Sequence, residues 1–322
     1  MIVLWRVTER CNLACAFCAY DRSLTRTRRD ADCASIEKFG RTLSEYQRLT
    51  GDRVMVSWIG GEPFLFPRLS DLTLLLKYDF SLKISATTNG TALSAEKLRE
   101  EIIKNYDELT ISVDGIGSTH DELRGWTGGY AALRKNVVDL AQRKRASRIG
   151  PLLRANVVLM HQTLSSFNDL CFELASWGFN EITFNQLGGR DRPEFFSTHR
   201  LLPEDTRKLI TEFDHLRQRL ANEGVTLAGG SDYLNRIHAT SINLRLSVLD
   251  CKPGQRQIFI NEEGLVSPCH FSTGDYGIPL ADIQSVNNLL ELPRRFSARQ
   301  ATQQLVACKD CHGTHVFSKF IA

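Results

Sequence analysis

The chain has 322 residues, 42% hydrophobic and 24% charged, with a formal net charge of +3 and nine cysteines. That length buries a substantial core, and the composition excludes a disordered or fibrous chain. So small a charge does not argue for nucleic acid as a partner, and no apolar run approaches the ~20 residues a bilayer span needs.

The opening "MIVLWRVTERCN" lacks a basic leader, a long apolar core and a small-residue cleavage site, so it reads as the mature start of a cytoplasmic protein. Within it "IVLWRVT" is predicted to be the first strand. The amphipathic helix "ASIEKFGRTLSEYQRL" and the strand "RVMVSWIG" follow, then the helix "RLSDLTLLLKY" and the strand "LKISATTNG". "SAEKLREEIIKN" reads as a helix with a serine cap. Next come the strand "ELTISVDG", the helix "GYAALRKNVVDLAQRKR" and the strand "LLRANVVLM". "SSFNDLCFELASWG" is a helix ending in glycine, and "EITFNQL" the sixth strand. "PEDTRKLITEFDHLRQRLANEG" is the sixth long helix, with proline in its first turn and glycine after its last.

Six strand-then-helix units imply parallel strands joined by right-handed crossovers. Eight would close a full barrel, so the expectation is an α/β fold, a partial (β/α)6 TIM-like barrel over residues 1–235. The pattern then changes to a hairpin, "RQIFINEEGLVSPC", and poorly periodic helical pieces. A small C-terminal hairpin-plus-helix domain is assigned to 236–322. Ligands of such sheets gather at the carboxyl ends of the strands.

The unusual residues fall at those ends. Cys11, Cys15 and Cys18 follow strand one with the spacing Cys-x3-Cys-x2-Cys. In a reducing compartment such thiols bind metal or do chemistry more often than they form disulfides. Iron–sulfur clusters and structural zinc both normally take four protein ligands. Three leave a position open for a substrate. A fourth ligand from elsewhere, such as Cys33, keeps zinc possible, so spacing favours iron–sulfur without deciding it.

"CNLACAFC" resembles the cluster loop of the radical S-adenosylmethionine (SAM) superfamily, and "GGEP" after strand two resembles its second motif. The resemblance implies a [4Fe-4S] cluster on Cys11, Cys15 and Cys18. It implies SAM on the remaining iron, cleaved by one electron to methionine and a 5′-deoxyadenosyl radical. It assigns SAM contacts to Gly60, Gly61, Glu62 and Pro63, with Glu62 accepting from the ammonium, and places Phe17 near the adenine. Thr88, Asn89, Ser112, Asp114 and Asn156 at or near strand ends are further candidates for SAM, each with a capping or turn role as its alternative. Arg124 is a candidate for the SAM carboxylate. A flavodoxin- or ferredoxin-type protein is the implied electron donor.

Cys251, Cys269, Cys308 and Cys311 form a second set: a pair seventeen residues apart around the hairpin, then Cys-x2-Cys. Spacing permits zinc or an iron–sulfur cluster, with His270 and His312 as substitute ligands. The layout resembles the "Twitch" form of the SPASM extension of radical SAM enzymes, which implies one auxiliary [4Fe-4S] cluster with no open iron. Cys171 reads as a buried apolar residue. Arg22, Arg26, Arg28 and Arg29 read as a solvated loop, or as the wall of a mouth that meets an anionic substrate.

The implied function is a radical SAM oxidoreductase that removes hydrogen from a carbon of a natural product, by dehydrogenation or epimerisation. A small polar substrate such as a sugar or aminocyclitol is favoured, because the chain starts at strand one and leaves no room for a domain that grips a leader peptide. The alternatives are a maturase of a ribosomal peptide and a zinc-stabilised protein without catalysis. No membrane partner is expected.

Overall fold

The structure, a computed structural model, describes residues 1–317 and 319. Ten strands form one open sheet in the order β10-β9-β8-β1-β2-β3-β4-β5-β6-β7. Strands β1 (Ile2–Thr8), β2 (Met55–Gly60), β3 (Lys83–Thr88), β4 (Glu108–Ser112), β5 (Leu152–Leu159) and β6 (Glu181–Gln186) are the six expected ones, all parallel. The helices that return the chain are α1 (Cys33–Thr50), α2 (Leu69–Leu74), α3 (Glu96–Asn105), α4 (Ser118–Arg124), α5 (Gly129–Ser147), α6 (His161–Leu164), α7 (Phe167–Trp177), α8 (Pro193–His199) and α9 (Pro203–Asn222). This is the predicted partial barrel, and no helix among the described residues is long and apolar enough to cross a membrane.

Alternation along the strands divides the two faces. On β5, Leu153, Ala155, Val157 and Leu159 are buried in the main core, while Arg154, Asn156 and Val158 point to the opposite, inner face. There Arg154 pairs with Glu108 of β4 at 2.8 Å and Glu181 of β6 at 3.0 Å, a polar layer across three strands. On β1, Trp5 meets Phe39 of α1 edge-on at 5.8 Å, and Trp58 of β2 donates its indole N–H to Thr73 at 3.0 Å.

Local chemistry explains most helix ends. Asp32 caps α1 by accepting the Ser35 amide, and Gly51 ends it at φ 77°. The expected serine cap of α3 is corrected: Ser94 closes a 3-10 turn, its hydroxyl donating to Thr91 O, and α3 starts after Ala95 without a side-chain cap. The helix predicted over 68–78 is α2 followed by a π-helical turn, Leu75–Asp79.

A seventh parallel strand, β7 (Thr226–Leu227), pairs with β6 and was too short to carry a pattern. Helix α10 (Ser231–Ser241) follows and spans the expected boundary at 235/236. The hairpin strands β8 (Gln257–Ile260) and β9 (Leu265–Ser267) do not stand apart. β8 pairs in parallel with β1, β9 pairs antiparallel with β8, and β10 (Ile278–Pro279) pairs with β9. The barrel sheet therefore continues into the C-terminal segment. Short helices α11 (Thr273–Tyr276), α12 (Val286–Leu290), α13 (Leu292–Thr302) and α14 (Val306–Lys309) complete it. Residues 318 and 320–322 of the assigned 236–322 unit lie outside the described residues.

Candidate functional site

The register between β1 and β2 shifts between Arg6 and Thr8, and the cysteine loop leaves from this bulge. Arg22, Arg26 and Arg29 are exposed, as a solvated loop would have them, while the half-buried Arg28 braces the loop. Arg28 donates to the carbonyls of Glu9, Tyr20, Asp21 and Leu24. Arg26 pairs with the buried carboxylate of Glu9, and Arg22 donates to Asn12 O at 3.2 Å. Cys15 is buried, and Cys11 and Cys18 are half-buried. Burial raises all three thiols, Cys15 to about 12, with Arg124 opposing the rise at Cys15.

Gly61 and Glu62 continue the ladder past Gly60, the last residue of β2. Gly61 N–H donates to Thr8 O at 2.9 Å, and Glu62 N–H to Arg10 O at 2.8 Å. A Cβ on Gly61 would lie 2.3 Å from Arg10 O, so only glycine allows β2 this close to the base of the cysteine loop. The close approach here is backbone to backbone. Gly61→Ala is expected to cost about 1–3 kcal/mol through overpacking. Gly188→Ala, with open space around the added carbon, should be neutral; thermal unfolding of the two variants compares them.

Pro63 is buried and opens a 3-10 turn capped by Glu62. Glu62 is fully buried, and both its oxygens are engaged within the protein. Oε1 accepts from Thr88 Oγ1 at 2.8 Å and the Phe64 amide at 3.2 Å, and Oε2 from the Asn89 amide at 2.7 Å. Burial lifts its carboxyl to about 7. Asn89 also points its amide at Cys11 Sγ, 3.8 Å away, and donates to Asn12 Oδ1 at 3.0 Å. The ends of β2 and β3 are thus tied directly to the first cysteine.

The ends of β4 and β5 reach Cys15. Asp114 Oδ1 accepts the Val158 amide at 2.7 Å, and Oδ2 forms a buried ion pair with Arg124 Nη2 at 2.6 Å. Arg124 lies 3.9 Å from Cys15 Sγ through Nη1, and 5.4 Å above the Phe17 ring. Phe17 packs at 6.2 Å from Phe195 of α8, in a small apolar cluster separate from the main core. Ser112 is buried opposite Asn156 in the β4–β5 register, and Asn156 accepts from Thr183 and Asn185 of β6.

His120 of α4 was not singled out by sequence. It is fully buried, and its Nδ1 accepts the Asp114 amide at 3.3 Å, which requires a neutral imidazole. Burial, with Arg124 adding, lowers its pKa to about 4. Above its unfolded value near 6.5 both states are neutral. As pH falls below that, the unfolded chain takes the proton first and stability is lost, levelling off below the folded value. This group should therefore cost about 2 kcal/mol between pH 7.5 and 5. In denaturant unfolding, His120→Asn should lose that part of the acid sensitivity.

The second thiol set also converges. Burial lifts Cys251 to about 11, with Cys269, Cys311 and Cys308 each raising it further, which places the four sulfurs within electrostatic reach of one another. Cys269 follows β9, its carbonyl accepting from Ser267 Oγ at 3.0 Å. Cys308 O accepts the Val248 amide at 3.3 Å, and the Cys311 amide donates to Leu246 O at 2.9 Å. His312, next in sequence, meets Gln186 at the end of β6, 3.3 Å away. Cys171 is fully buried in α7, and Cys33 is the first residue of α1. A cavity of about 700 Å³ opens at the other end of the strands, lined by Met1, Lys83, Asp107 and Gly150 among others, away from every thiol just described.

The sequence profile described as the radical SAM superfamily matches residues 5–174, which hold the first thiol set and the Gly60–Pro63 strap. The chain belongs to the radical SAM superfamily. Membership makes it an enzyme and implies one [4Fe-4S] cluster and SAM. Three clustered thiols, aligned with the ends of β2 to β5, are a donor set that fits that cluster.

This radical SAM chain is 26% identical over 277 residues to the antilisterial bacteriocin subtilosin biosynthesis protein AlbA of Bacillus subtilis, covering 82% of the chain and 54% of AlbA. It is 24% identical to the sporulation killing factor maturation protein SkfB of the same organism, covering 89% of the chain and 65% of SkfB. The chain thus spans under two thirds of either relative. Among solved structures, Streptococcus suis SuiB bound to precursor peptide SuiA matches with a TM-score of 0.69 at 17% identity, over 99% of this chain and 70% of SuiB, which establishes the shared fold.

Proposed function

We propose that this radical SAM enzyme matures a peptide, by epimerisation or by forming a crosslink. The observation that carries this reading is the reach of the similarity to AlbA and SkfB, over 82% and 89% of the chain, well beyond the radical SAM segment and into the part that holds the second thiols. The names of those relatives concern bacteriocin biosynthesis and killing-factor maturation. The preference for a sugar or aminocyclitol, drawn from the start of the chain, gives way to the peptide alternative.

In this proposal Cys11, Cys15 and Cys18 hold the SAM-binding cluster. With SAM bound, that pair of cofactors supplies a 5′-deoxyadenosyl radical that removes a hydrogen atom from carbon. The protein places and shields it. The Gly60–Pro63 strap, with Glu62 locked to Thr88 and Asn89, fixes the floor beside Cys11. Ser112, Asp114, Arg124 and Asn156 line the wall formed by β4 and β5, and Phe17 lies on the side of α8.

Cys251, Cys269, Cys308 and Cys311 are proposed to hold one auxiliary [4Fe-4S] cluster in the segment 236–322. Such a cluster would accept the electron that the substrate radical loses, with a proton, when a crosslink forms. The separate electron that cleaves SAM is proposed to come from a flavodoxin- or ferredoxin-type protein.

The test is anaerobic coexpression with each short peptide encoded beside the gene, followed by mass spectrometry. A crosslink removes two hydrogen atoms, a loss of about 2 Da. An epimerisation run in heavy water adds about 1 Da, because the returning hydrogen comes from an exchangeable donor. Peptides of unchanged mass in both solvents, alongside a sugar that passes deuterium into 5′-deoxyadenosine, would overturn the proposal.

A further inference from the structure

Arg236 of α10 is 1% exposed, one of the largest side chains buried so completely. Its Nη1 donates to Asp310 Oδ1 at 2.7 Å and its Nη2 to Thr240 Oγ1 at 2.7 Å. Nε has no hydrogen-bond partner among the described residues. Asp310 stands between Cys308 and Cys311, and its Oδ1 also accepts the Leu246 amide at 3.3 Å. The Leu246 carbonyl in turn accepts from Cys311, so α10, residues 246–248 and the Cys-x2-Cys turn are knitted around this pair.

A buried ion pair is a poor way to gain stability, since apolar residues of similar volume often do as well or better. What the pair does supply is a fixed, fully buried cation and a fixed, half-buried anion, beside two of the four thiols. Reducing an iron–sulfur cluster adds one negative charge, so a nearby cation favours the reduced form and a nearby anion disfavours it.

We propose that Arg236 and Asp310 together set the reduction potential of the redox group held by Cys251, Cys269, Cys308 and Cys311, with Arg236 raising it and Asp310 both lowering it and positioning Arg236. This rests on the reading of those four thiols as an iron–sulfur site. A pair that only staples α10 to the turn would respond to loss of either partner in the same direction. A pair that acts by charge responds in opposite directions.

The experiment uses full-length protein in which Cys11, Cys15 and Cys18 are alanine, so that only the second site binds iron. It is purified anaerobically, its iron counted, and its midpoint potential measured by redox titration with electron paramagnetic resonance. Arg236→Gln should shift the potential down, Asp310→Asn should shift it up, and Arg236→Lys should leave it near the parent value. If Arg236→Gln does not retain iron, the other two decide. Shifts of the same sign, or no shift, overturn the charge role while the cluster stands. A parent protein without iron overturns the cluster reading and the proposal with it.

Discussion

Replacing Cys11, Cys15 and Cys18 by alanine is expected to abolish cleavage of SAM to 5′-deoxyadenosine and to halve the iron, from about eight to about four per chain. The three thiols come from one loop, and that loop is braced independently of any metal. Arg28 holds four of its carbonyls, and the Gly60–Glu62 strap extends the ladder beneath it. The variant should therefore fold and lose only the first site. The complementary variant, with Cys251, Cys269, Cys308 and Cys311 replaced, should retain SAM cleavage and lose the other half of the iron. Deoxyadenosine formed by the first variant at the parental rate would contradict the assignment of the loop.

Asp114→Ala is expected to be the most destabilising single change near the site, by roughly 3–5 kcal/mol. It leaves the Arg124 guanidinium buried beside Cys15 without its carboxylate, and leaves the Val158 amide without an acceptor. An unpaired charge in such a place costs far more than the pair contributes. The double variant Asp114→Leu/Arg124→Met removes both charges and should recover part of the loss, a non-additivity that denaturant unfolding of the three proteins measures. The single variant should also retain less iron, since Arg124 lies against both Cys15 and Phe17. A single variant within about 1 kcal/mol of the parent would mean that water reaches the pair.

Much of the barrel was legible because its signals are local. Period-two and period-3.6 patterns of apolar residues identify β1 to β6 and the long helices without knowledge of what they touch. The cysteine loop and "GGEP" were legible for the same reason, each a short run with its own chemistry. What escaped depended on contacts far apart in sequence. Nothing in "RQIFI" says that it will lie beside "IVLW", so the hairpin reads as a separate unit until the pairing of Ile2 with Gln257 is seen. That Asp114 and Arg124 would pair with each other, and Arg236 with Asp310, is likewise invisible one residue at a time. Arg28 is similar: in sequence it belongs to a basic run, and only the fold reveals the carbonyls it serves.

The pairing of β8 with β1 bears on how the protein is made. The partner β2 follows β1 closely in the chain, whereas the partner of the other border of β1, Gln257–Ile260, is made much later. Over that interval the nascent chain carries a bare strand edge leading into the cysteine loop, the kind of template on which other chains nucleate aggregates. Slower elongation or a bound chaperone over that interval should raise the yield of soluble protein, and truncation before residue 257 should lower it sharply.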